Sequence, residues 1–114
     1  MSDQEYTELT GKISSNVAKL RQAIPDVMQG FSAMANSAIN DNVLDKKTKE
    51  LVALGIAVST RCKGCIGFHT RTLVELGTTE AEFMETLGMA VYMGGGPSLM
   101  YAAEAVEAFH EFSQ

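Results

Sequence analysis

Residues 50–69 read ELVALGIAVSTRCKGCIGFH. The stretch holds both cysteines of the chain, Cys62 and Cys65, and one of its two histidines, His69. Glu50 stands at the edge of an apolar run, so the pattern is E-x11-C-x2-C-x3-H. The rest of the chain reads as helical packing around these four side chains. With a helix opening at Cys62, Cys65 and His69 follow at i+3 and i+7, within roughly 60° of one another on one face. Cys65 and His69 form an i, i+4 pair, which brings the imidazole within reach of the sulfur, directly or through one water. A cysteine in the first turn meets the positive end of the helix dipole and free N–H groups, and both favour thiolate over thiol. Arg61 and Lys63 add positive charge that acts the same way. The stretch is a dithiol with a base beside it.

The segment before Cys62 is expected to be a helix over residues 46–60, with Asp45 as its N-cap. Its first turn carries Lys46, Lys47 and Lys49, an unfavourable sign for the dipole there. From Leu51 to Val58 it is apolar on every side, which calls for burial in a core or an interface. Ala53, Leu54 and Ala57 share the face of Glu50, and the two alanines allow close approach of a neighbouring helix. The dithiol helix is expected over 62–76, with Ile66, Leu73 and Leu76 buried and Gly77 as a left-handed terminator. Thr79 and Glu82 form a capping box for a helix over 80–93 with Phe83, Leu87, Ala90 and Val91 inward. The three glycines at 94 to 96 break that helix. They lack the Lys-Ser/Thr that a phosphate loop requires.

A last helix is expected from Pro97 to residue 112, with Leu99, Met100, Ala103, Val106 and Phe109 inward. Towards the N-terminus, Leu9, Ile13, Val17, Leu20 and Ile24 recur at helical spacing over 2–23. Pro25 ends that helix and suits the first turn of the next, over 25–39. Val27, Met28, Phe31, Met34, Ala35 and Ala38 line its apolar face, and Asn40-Asp41-Asn42 is a turn. Met89, Met93 and Met100 read as core gap-fillers, and His110 as a surface residue. No alternating β-branched segment appears. The fold class is all-α, a single-domain helical bundle of about six helices spanning residues 1–114.

At 114 residues the chain has the size of one domain. Its 46% hydrophobic content suits a packed core. The net charge of −5 leaves no basic face for phosphate backbones, so nucleic acid is not an expected partner. The start, MSDQEYTEL, has neither the basic nor the apolar part of a signal peptide. No apolar run reaches the roughly 18–20 residues that span a bilayer. The expected location is a reducing cytoplasm, where a close cysteine pair is redox-active or metal-binding more often than a structural staple.

Three readings of the cluster stand side by side. A redox dithiol needs two sulfurs close enough to bond and one partly ionised. A zinc site would take Cys62, Cys65, His69 and Glu50 as its four ligands, although structural zinc usually draws on two separate pairs. The third reading is two small buried residues and an incidental histidine. Glu50 alone would pass for a helix-start carboxylate; beside a thiol and an imidazole it can serve as a base.

With the four-point spacing in view, the chain resembles the carboxymuconolactone decarboxylase superfamily, on its alkylhydroperoxidase D-like branch. The likeness continues through LVELGTTEAEFMETLGMAVYMGGGP and covers the middle and C-terminal two-thirds of the chain. It implies an all-helical fold, assembly into a homotrimer or homohexamer, and a thiol peroxidase cycle without flavin, haem or a catalytic metal. The resemblance assigns Cys65 the attack on a hydroperoxide substrate and Cys62 its resolution. His69 and Glu50 would relay protons, and an external dithiol or disulfide-reducing protein would reset the pair. Against that order of roles, Cys62 lies nearer the helix N-terminus; the i+4 histidine favours Cys65. One position departs from the branch, which carries a histidine immediately before the second cysteine where this chain has Gly64. Two other functions remain in view. One is a decarboxylase-like lyase using Glu50 and His69 as acid and base, and the other is a zinc-held or oligomeric scaffold without catalysis.

Overall fold

The computed structural model describes residues 4–114. Six helices follow one another: α1 (Glu5–Ala23), α2 (Pro25–Ile39), α3 (Lys46–Ser59), α4 (Lys63–Glu75), α5 (Glu80–Gly94) and α6 (Gly96–Phe112). No strand occurs among the described residues, so the all-α expectation holds. The expected start of the first helix at Ser2 lies outside the described residues.

Local chemistry sets most of the boundaries. Asp45 caps α3 by accepting the Thr48 N–H at 2.7 Å, and the Thr48 hydrogen bonds hold its carboxyl below the usual carboxylate range. Thr79 and Glu82 close their capping box in both directions, at 2.9 and 3.1 Å. Gly77 adopts a φ of +78° just beyond α4. The lysines that open α3 against its dipole find partners elsewhere. Lys47 pairs with Glu82 of α5 at 2.7 Å, and Lys49 donates to the Asn40 carbonyl at 2.7 Å.

Helices α3 to α6 enclose the core. Leu54 and Val58 of α3, Ile66 and Leu73 of α4, and Phe83 of α5 are wholly buried. Phe83 lies against Phe109 of α6 with ring centroids 4.6 Å apart. Helix α1 adds Tyr6, also wholly buried. Its N-terminus is held by α6: Glu111 accepts the backbone N–H groups of Tyr6 and Thr7 at 3.0 and 2.7 Å. These are two of the orphan donors of a helix start, capped here by a carboxylate from the other end of the chain. Partial burial acts upward on the Glu111 carboxyl, but the Tyr6 and Thr7 donors outweigh it and hold the group below its ordinary range.

The expected inward faces need correction on several helices. Helix α6 turns Ser98, Ala102, Ala105, Ala108 and Phe109 inward, while Leu99 and Met100 are exposed. Its first turn lies so close to the end of α5 that a Cβ on Gly94 would overlap the Ser98 side chain. The alanine seam and Phe109 set the rotation of α6 and keep it close to its neighbours. Leu76 is 40% exposed because it caps α4 beyond the last turn. Met89 and Met93 lie on the outer face of α5.

The largest difference concerns α2. None of its residues is buried, and Val27, Phe31 and Met34 are 64%, 60% and 63% exposed. With α1 it forms a helical hairpin whose far end projects beyond the bundle, as the exposure of Leu20 and Ile24 also shows. On α3, whose all-round apolar character called for a core or an interface, Val52 and Ile56 are more than half exposed. These residues form outward apolar surface that none of the described residues covers.

Candidate active site

The turn between α3 and α4 builds the site. Arg61 takes a φ of +61°, the left-handed region that an L residue enters at a cost of about 1–2 kcal/mol. The next residue, Cys62, donates its N–H to the Ala57 carbonyl at 3.0 Å. The chain thereby reverses within three residues and α4 folds back along α3. Cys62 is the N-cap of α4, not its first turn, and its sulfur accepts the Cys65 N–H at 3.2 Å. A sulfur that caps a helix sits at the positive end of the dipole, where negative charge is favoured. Cys62 and Cys65 are joined as a disulfide.

The reversal also sets Glu50, in the first turns of α3, opposite His69 in the middle of α4. Glu50 Oε2 lies 2.6 Å from His69 Nδ1. The carboxylate side chain is 6% exposed and the imidazole 34%. A carboxyl group taken out of water needs a partner, and the imidazole is that partner. The ring nitrogen left over, Nε2, makes no hydrogen bond within the described residues. The four predicted side chains therefore occur as two bonded pairs, Cys62 with Cys65 and Glu50 with His69. Both pairs contribute a residue to one face of α4 at i, i+4 spacing, and no hydrogen bond links His69 to either sulfur.

Among the described residues, no three His, Cys, Asp or Glu side chains converge on a metal position. The four-ligand zinc arrangement would require both sulfurs as free thiolates, and here they are bonded to each other. No helix of the described residues is long and apolar enough to cross a membrane. His110 lies at the surface, as expected, 3.5 Å from Glu80.

Glu50 and His69 open onto a cleft of about 490 Å³ between α2 and α3. Ala35 and Ile39 of α2, Leu44, and Ala53 and Ile56 of α3 give it apolar walls. Neither cysteine lines it. Ala35 and Ala38 of the wall supplied by α2 belong to the apolar face that the periodicity of that helix gives. Sequence spacing has no means of separating a residue facing a cleft from one facing a core, since both are apolar at the same period.

A sequence model of the carboxymuconolactone decarboxylase family matches residues 25–108. The chain belongs to the carboxymuconolactone decarboxylase family. It is 36% identical over 109 residues to an uncharacterised protein of Cupriavidus necator, covering 96% of each chain. An uncharacterised protein of Haemophilus influenzae is 35% identical over 105 residues, covering 92% of this chain and 93% of that one. Among solved structures, a carboxymuconolactone decarboxylase family protein from Legionella pneumophila superposes with a TM-score of 0.96 at 58% identity, covering 97% of this chain and 99% of that one. A Thermotoga maritima protein superposes with a TM-score of 0.79 at 26% identity, covering 95% and 92%. The family segment contains α2 to α5 and most of α6, and so includes the cysteine pair, Glu50 and His69. Helix α1 lies outside it.

Proposed function

We propose that this family member is a thiol-dependent peroxidase, an oxidoreductase in which Cys65, Cys62, His69 and Glu50 are the working residues. The observation that carries the reading is a bonded Cys62–Cys65 pair on the helix whose next turn presents a histidine backed by a buried carboxylate. In the reduced enzyme the Cys65 thiolate attacks the outer oxygen of a hydroperoxide. The O–O bond breaks, the leaving oxygen takes a proton and departs as alcohol or water, and Cys65 becomes a sulfenic acid. Glu50 and His69 hold and deliver that proton. The Cys62 thiol then displaces water from the sulfenic acid to form the disulfide. An external dithiol returns two electrons and two protons and leaves as its own disulfide. The apolar cleft beside Glu50 and His69 suits the organic portion of a substrate on the acid–base side of the site.

The experiment is hydroperoxide consumption by the purified protein with several dithiol donors, read alongside mass spectrometry of the cysteines. Dithiol-dependent consumption with cycling of the Cys62–Cys65 bond is expected. A disulfide that forms and reduces without consuming peroxide would sink the assignment. A second reading has one observation in its favour: the cleft reaches Glu50 and His69 but neither cysteine. It is a lyase acting by acid–base chemistry on a lactone, and it would stand if Cys65→Ser kept full turnover on such a substrate.

The cytoplasm is the proposed location. We also propose that the protein works as a homo-oligomer, a trimer or a hexamer. Val27, Phe31 and Met34 on α2 and Met89 and Met93 on α5 remain more than half exposed, and contiguous apolar surface of this kind marks association sites. Light scattering at micromolar concentration is expected to give three or six times the monomer mass of 12.3 kDa. A monomeric mass would refute the assembly.

A further inference from the structure

Both residues between the two cysteines are held from outside their own helix. The Lys63 ammonium lies 2.6 Å from Glu5 of α1 and 3.3 Å from Glu104 of α6. It also stands over the ring of Tyr6, 5.5 Å from its centroid. Tyr6 completes the group by donating its hydroxyl to Glu104 at 3.1 Å. Burial first, and the Glu104 carboxylate second, push its phenol well above the usual range and keep it a neutral donor. Gly64 is pressed from the same side. A Cβ at that position would lie 2.8 Å from Ile13 Cδ1 of α1. One turn along, a Cβ on Gly67 would lie 2.8 Å from Thr10 Cγ2 and 3.3 Å from Tyr6 Cδ1, also of α1. The glycine face of α4 is therefore the seat of α1, and the dithiol turn is the first part of α4 that α1 covers.

We propose that α1, with Glu104 of α6, is a clamp on the dithiol turn that biases Cys62 and Cys65 towards the disulfide. Lys63, Glu5 and Glu104 are its positioning residues. The proposal rests on the cysteine pair cycling between disulfide and dithiol. Two physical effects act in the same direction. Reduction lets the sulfurs separate from bonding distance to contact distance, a change that the backbone between them shares when it is free to relax. A turn whose two internal residues are pinned by ion pairs and by close packing resists that relaxation. In addition, two carboxylates face one ammonium, leaving a net negative charge beside a pair that gains thiolate character when reduced. The ion pairs are half-exposed and each contributes little to global stability. Their effect is on where Lys63 is held.

The test is the redox equilibrium of the full chain against mixtures of reduced and oxidised dithiothreitol, read by alkylation and mass spectrometry. In that exchange the protein disulfide takes two electrons and two protons, and dithiothreitol leaves as its cyclic disulfide. The Glu5→Gln/Glu104→Gln variant removes the anchors and the excess negative charge together. It is expected to shift the equilibrium constant about tenfold towards the dithiol, which equals about 30 mV for a two-electron couple. Lys47→Met, which breaks the remote pair with Glu82, is expected to stay within about twofold of the wild type on the same scale.

A double variant within about twofold of the wild type, or an equal shift in Lys47→Met, would overturn the clamp. If the double variant does not fold by circular dichroism, Glu104→Gln alone decides. It keeps the Lys63–Glu5 pair and is expected to shift the constant about threefold; an unchanged constant overturns the proposal. No peroxide is needed for the measurement. An unshifted constant in a protein that consumes peroxide therefore removes the clamp and leaves the peroxidase reading intact. A wild-type pair that excess dithiol cannot reduce removes both.

Discussion

Replacing Glu50 by glutamine is expected to lower kcat/KM for hydroperoxide reduction by about 10²–10⁴-fold, the range that a positioned acid–base group contributes. The substitution conserves shape and leaves an amide to meet His69, so the core around Leu54 and Ala57 stays filled. What it removes is a proton acceptor 2.6 Å from an imidazole, in a position from which bulk water is almost excluded. Without that acceptor, His69 loses the group that orients its ring and takes up its charge. Steady-state kinetics with an organic hydroperoxide and a dithiol donor would measure the loss, with circular dichroism confirming the fold. Turnover within about threefold of the wild type, well below the usual acid–base contribution, would remove Glu50 and its histidine from the mechanism.

The two cysteines are expected to fail in different ways. Cys65→Ser should abolish turnover and leave Cys62 unoxidised in a single exposure to peroxide. Cys62→Ser should complete the first chemical step and stop there, with Cys65 trapped as a sulfenic acid that a dimedone adduct reveals by mass. The division follows from position. His69 stands one turn beyond Cys65 on the same face of α4, whereas the Cys62 sulfur is occupied as the helix cap, accepting the Cys65 N–H. Cap geometry also favours negative charge on Cys62, so the experiment discriminates between two real influences. A sulfenic acid on Cys62 in the Cys65→Ser protein would reverse the roles.

Much of the fold was legible because its signals are local. The Asp45 cap, the Thr79–Glu82 capping box, the left-handed Gly77 and the proline that starts α2 each act within four residues, and each places a helix boundary correctly. The partnership of Glu50 with His69 was expected from the family resemblance, and the three-residue turn between α3 and α4 is what brings the two positions level. The rotation of α6 was not legible. Leu99 and Met100 have the same period as a core stripe, and only the packing of Ala102, Ala105, Ala108 and Phe109 against the other helices turns them outward. Met89, Met93 and Met100 were read as core for the same cause, and the apolar face of α2 lies uncovered: hydrophobic period reports that a face seeks burial, and is silent on whether the burial lies inside one chain.

By itself the sequence determined that the protein is helical, where most of its helices stop and start, and which four side chains make up the candidate site. Those properties depend on caps, turns and i, i+4 spacing, which reach no further than a turn or two of helix. Tertiary structure decided that Glu50 and His69 meet directly and that no hydrogen bond joins that pair to the sulfurs. It alone set a cleft beside one pair, and placed α1 and Glu104 against the turn that holds the other. Glu5 and Glu104 meet Lys63 across 58 and 41 residues of chain. Contacts of that range are fixed by how whole helices pack, where shape and small residues such as Gly64 and Gly67 determine which surfaces can touch.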